Sequence, residues 1–80
     1  MIVTLRKFLE IAPDVILPDV CIVHLEYEHE YYGRDTKTLL RHFNNISELD
    51  PYLNYEIVNF YQDYLYGELD EQYITLREVK

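Results

Sequence analysis

LNYEIVNFYQDYLYGELDEQYITLRE, residues 53–78, decides the fold. It is dense in Tyr, Ile, Val and Phe, which suit a pleated, half-buried surface, and it contains no proline. It is interrupted once, at Gly67 with Glu68, Asp70 and Glu71. Two extended runs joined by a short polar loop predict an antiparallel hairpin. Strict alternation places Glu56, Val58, Phe60, Gln62, Tyr64 and Tyr66 on one face of the first strand. Tyr55, Ile57, Asn59, Tyr61 and Asp63 take the other. Neither set is cleanly apolar, so a bulge near residues 62–64 is expected to switch faces and turn Ile57, Tyr61 and then Tyr64 or Tyr66 inward. In the return strand Ile74 and Leu76 oppose Tyr73, Thr75 and Arg77, and the strand is expected to end at Val79 and Lys80.

Upstream, Thr4 caps a helix from residue 5 to about 11, with Leu5, Phe8, Leu9 and Ala12 on one face. Pro13 ends it. Residues 14–19 form an apolar connector, with Pro18 and Asp19 favouring a turn. Residues 20–27 read as a strand with Cys21, Val23, Leu25 and Tyr27 toward the core. Ile22, His24, Glu26 and Glu28 then face solvent. A turn at residues 28–30 leads to a short strand at Tyr31 and Tyr32; the alternative is one strand running unbroken to Tyr32. Asp35 then caps a second helix, from residue 36 to about 44, with Leu39, Leu40, Phe43 and Ile46 on one face. A one-turn helix at residues 47–49 fits the loop before Pro51. The expectation is a single domain, residues 1–80, of two-layer α+β class: an antiparallel sheet of three to four strands with two short helices on one face.

Eighty residues with a net charge of −8 and nine tyrosines form this domain. A core this small cannot enclose nine phenol rings, so some stay at the surface, where tyrosine favours interfaces. The charge opposes direct binding to nucleic acid or to an anionic membrane, both of which need Lys and Arg. The plain reading of that charge is solubility. No run of apolar residues is long enough to span a bilayer. One cysteine, Cys21, excludes a disulfide scaffold and, with no signal-peptide pattern, points to a cytoplasmic protein.

Catalytic chemistry finds little support. His24, Glu26 and Glu28 alternate along one strand face, but successive members stand roughly 6.6–6.8 Å apart, which strains convergence on one metal ion. Cys21 lies in an apolar run with His24 on the opposite face, the setting of an inert thiol. Gly33 and Gly67 stand alone, so no phosphate loop exists. The expectation is a non-enzyme without catalytic residues, metal or cofactor.

The positive lead is the distribution of acids. No Lys or Arg occurs from residue 8 to 33 or from residue 44 to 76, tracts that hold six and seven carboxylates. Carboxylates spaced along a sheet and its loops imitate a row of phosphates, and interspersed tyrosines supply apolar anchors. The candidate partner-binding residues are Glu26, Glu28, Glu30, Tyr31 and Tyr32 in the first unit. In the second they are Asp63, Tyr64, Tyr66, Glu68, Asp70 and Glu71. The short acidic chain, the Tyr32–Gly33 and Tyr66–Gly67 strand ends and the final hairpin resemble small acidic proteins encoded by phages and prophages of low-GC Gram-positive bacteria. Some of those are anti-CRISPR proteins. The resemblance implies an inhibitor in the host cytoplasm that covers the nucleic-acid-binding surface of a basic protein. The alternative is a structural or adaptor module without inhibitory role, docking through an edge strand and exposed tyrosines or forming a homodimer.

Overall fold

Thr4 begins the regular structure. Its hydroxyl accepts a hydrogen bond from the Lys7 N–H at 3.2 Å and caps α1, Leu5–Ile11. Leu5 is completely buried, and Phe8 and Leu9 pack beside it. The computed structural model describes residues 2–79. Their remaining elements are β1 (Cys21–His29), β2 (Gly33–Arg41), β3 (Glu56–Leu65), β4 (Glu68–Arg77) and two 3-10 helices at Pro18–Val20 and Ile46–Tyr52. α1 and the longer 3-10 helix press on one face of the sheet through Leu5 and Leu49, and no helix among the described residues covers the other face. Ile16 and Phe43 complete the buried cluster with Cys21, Val23, Ile74 and Leu76. The architecture is the two-layer α+β arrangement expected.

The sheet order is β2-β1-β4-β3, and this corrects the expectation of a purely antiparallel sheet. β1 and β4 run parallel, from Cys21 opposite Gln72 to Glu26 opposite Arg77. The two outer pairings are antiparallel. Burial explains the order. Cys21 and Val23 on β1, with Ile74 and Leu76 on β4, are the residues that most need a neighbour on both sides. The chain therefore carries β3 across to the far edge so that β4 lands beside β1.

A second correction concerns residues 36–44. Residues through Arg41 are strand, and Tyr31 and Tyr32 lie in the turn instead of a short strand of their own. The leucine pair that fits a helical stripe sits instead at a bulge. Val23 pairs with Leu40 and His24 with Thr38, so Leu39 is the extra residue and both leucines become half-buried. The second helical element lies further on, at Ile46–Tyr52. Asn45 caps it, and the Asn45 N–H donates to Glu48 Oε2 at 3.2 Å, a capping box.

The hairpin of residues 53–78 forms, turning on Tyr66 and Gly67 with φ of 53° and 81°. Its register slips between Asp63 and Tyr64, where a bulge is expected, but Tyr61, Tyr64 and Tyr66 remain exposed. A different bulge switches the faces. Ile57 pairs with Leu76 and Asn59 with Thr75, so Val58 is extra and Ile57, Phe60 and Gln62 all share the core side. In β4, Ile74 and Leu76 point inward as expected. The strand stops at Arg77; Glu78 and Val79 follow it, and the expected end at Lys80 lies outside the described residues. In β1, Cys21 and Val23 are buried, whereas Leu25 is half-buried and Tyr27 exposed. Ile22 is also buried, on the opposite face in register with Tyr73.

Candidate protein-interaction surface

β4 begins at Glu68, but its pairing with β1 begins only at Gln72. The start of β4 and the end of β3 therefore project beyond the centre of the sheet as a two-stranded arm. Asp63, Tyr64, Leu65, Tyr66, Glu68 and Asp70 are all exposed on it. Tyr66, at the tip, is 96 % exposed. Glu71, near the base, is half-buried, with its carboxylate 3.4 Å from His42 Nε2. The chain supplies no Lys or Arg between residues 44 and 76; Arg41, in register with Ile22, and His42 stand at the arm's base.

Behind the arm lies a row of rings that alternation alone does not reveal. Tyr61 and Tyr73 stack across β3 and β4 with centroids 4.8 Å apart and planes 17° from parallel. His24 on β1 lies parallel to Tyr73 at 6.4 Å. Asp63 and Glu71 form the neighbouring cross-strand pair. Crowding by neighbouring atoms, and then Glu71, Asp63, Tyr61 and Asp70, hold the Tyr73 phenol above its ordinary pKa. Finding Tyr61 from sequence would have required knowing the Val58 bulge, which sets its partner.

The other candidate group sits on the β1–β2 arm. A three-residue loop, 30–32, leads into Gly33 at φ 80°, which a side chain would strain. Tyr31 donates its N–H to His29 Nδ1 at 3.1 Å, and the His29 and Tyr32 rings lie 4.8 Å apart. Glu28 and Glu30 are exposed, and Tyr31 and Tyr32 are each 80 % exposed. This arm also carries cations: Lys37 Nζ lies 5.8 Å from the Tyr27 ring centroid. Glu26 is internally engaged. Its Oε1 lies 3.5 Å from an Arg34 nitrogen and 3.3 Å from an Arg77 nitrogen, and Arg77 also reaches Glu56 at 3.7 Å. These contacts are ion pairs without hydrogen-bond alignment, so Glu26 Oε1 is buried with no hydrogen-bond partner. The cluster borders a groove of about 440 Å³, also lined by Leu25, Tyr27 and Val79, where β4 stops and β1 continues.

The parallel seam separates the two groups. The loop at residues 30–32 follows the C-terminal end of β1, whereas the Tyr66–Gly67 turn precedes the N-terminal end of β4. Because β1 and β4 run the same way, the two turns lie at opposite ends of a molecule 39 Å long. Asp63, Tyr64, Tyr66, Glu68, Asp70 and Glu71 thus form one group, and Glu26, Glu28, Glu30, Tyr31 and Tyr32 another.

Cys21 is fully buried, and that burial pushes its thiol pKa up to about 12, far from a nucleophile's range. Among the described residues no three His, Cys, Asp or Glu side chains are grouped to hold a metal ion. No described helix is long and apolar enough to cross a membrane. Compared with known proteins, the chain matches no family model, no curated protein and no solved structure.

Proposed function

We propose that this protein is an acidic protein-binding inhibitor that places its β3–β4 arm on a basic, nucleic-acid-binding surface of a partner. The observation that carries this is the tip. Tyr66 occupies a left-handed backbone conformation that costs a residue with a Cβ about 1–2 kcal/mol, yet its ring makes almost no contact within the molecule. A strained, solvated ring beside Glu68, Asp70 and Asp63 contributes little to the fold and suits an anchor between charges. The carboxylates steer the encounter, and the tyrosines exclude water once docked. The β1–β2 arm, with its compensating cations, is the weaker docking surface.

The decisive experiment uses a protein with Asp63→Lys, Glu68→Lys and Asp70→Lys, all exposed positions; Glu71 is left to hold His42. Pull-downs from a Gram-positive bacterial lysate at low and high salt compare it with the native chain. The native protein should capture a basic protein at low salt, release it at high salt and block its binding to DNA. The triple variant, folded by circular dichroism, should capture none. Capture by the variant, or a partner that binds DNA undiminished, overturns the proposal.

A second reading, a docking module without inhibitory role, is favoured by one observation: among the described residues β3 has β4 as its only strand neighbour in the sheet. A partner that is captured but keeps its nucleic acid would select it.

A further inference from the structure

The outer edge of β3 is closed over only part of its length. The Ile57 N–H donates to the Val3 carbonyl at 2.8 Å, and Thr4 bridges Glu56. On that outer side no strand neighbours residues 59–65 among the described residues. Sheet edges are normally guarded by Lys, Pro or inward charges. β2, the opposite edge, carries Arg34, Asp35, Lys37 and Arg41, whereas β3 has no Lys, Arg or Pro; its charges are Glu56 and Asp63, and its Val58 bulge precedes the free stretch. Its exposed side chains include Tyr61, Tyr64 and Leu65.

We infer that this edge accepts an added strand, an extended segment of a partner in which Lys or Arg alternates with apolar residues. The inference rests on the acidic-binder reading and supplies its geometry. Two surfaces flank the free edge. On the open face stand Tyr61, Tyr73 and Asp63, a setting for cationic side chains that stack on rings and pair with a carboxylate. On the core side stands Phe60, packed on Phe8 at 5.3 Å, a setting for apolar ones. A strand laid along β3 alternates between these faces by its own pleat. A second copy of this chain is the poorer occupant. It brings its own Asp63 and net charge of −8 against the same features.

Two synthetic peptides test this: eight residues of alternating Arg and Val, and its diastereomer with every valine as the D-enantiomer. Charge and composition are identical, but only the first forms a regular strand. Binding is followed by nuclear magnetic resonance on the full chain. The first peptide should bind with shifts and slowed exchange at the amides of residues 59–65, and the diastereomer should bind about tenfold or more weakly. Equal binding overturns strand addition while leaving the charge-based proposal standing. Binding of neither at low salt overturns both. Dimerisation of the free protein through the β3 amides, detected by sedimentation, overturns the choice of occupant.

Discussion

Gln72 is the one polar side chain buried completely among the described residues. Its Oε1 accepts the Leu17 N–H at 2.7 Å, and its Nε2 donates to the Val15 carbonyl at 2.7 Å and to Gln62 Oε1 at 3.0 Å. It fastens the 14–19 connector to the sheet. Gln72→Leu fills similar space but leaves the Leu17 N–H and Val15 carbonyl unpaired, and should cost about 2–3 kcal/mol in urea unfolding. Cys21 gives a pH signature. Its folded pKa, about 12, exceeds the ordinary 9.0, so folding favours the neutral thiol. That contribution is intact below about pH 9 and is lost as pH rises toward 12, because the unfolded thiol ionises first. Unfolding of native and Cys21→Ala proteins at about pH 8 and about pH 10.5 should show the native chain losing more of its stability. Tyr66 offers the opposite sign: Tyr66→Asn should stabilise by about 1 kcal/mol in thermal melts. If the proposed function holds, the same change weakens partner capture.

At the scale of elements, the 53–78 hairpin and α1 were legible because each carries a local signal: β-branched and aromatic residues around one glycine, and a Thr cap with a Pro stop. β2 was not, because Leu39, Leu40 and Phe43 fit a helical stripe as well as a bulged strand. Only pairing with β1 distinguishes them. The mixed order of the sheet was equally hidden, since no single strand states which neighbour lies beside it. The candidate site was half legible. Nine tyrosines guaranteed exposed rings, and the alternation of β4 put Tyr73 outward. The Tyr61–Tyr73 stack depended on Val58, a residue whose displacement is decided by cross-strand register.

For the whole molecule, charge is the dominant long-range term. Fifteen acids face seven Lys and Arg, and the ion pairs with Glu26 and Glu56 occupy two of those cations, Arg34 and Arg77, at one end. The arm at the other end has Arg41 and His42 only at its base, and its outer part carries Asp63, Glu68 and Asp70 without a cation in the same stretch of chain. Mutual repulsion of the acids opposes the compact state, so raising NaCl from about 0.05 to about 0.5 M should raise the melting temperature by a few degrees. The same salt should weaken capture of a basic partner. A melting temperature that falls with salt would show that favourable pairs outweigh the repulsion.

The seam between β1 and β4 also orders events in time. Cys21 meets Gln72 across 51 intervening steps of chain, the costliest loop closure in the sheet, while each hairpin closes over only a few residues. The hairpins are therefore expected to assemble early and the middle to join last. A ribosome that has not yet released β4 holds a chain whose inner strand lacks its mate, leaving Val23 and Cys21 open to whatever chaperone or nascent neighbour arrives first.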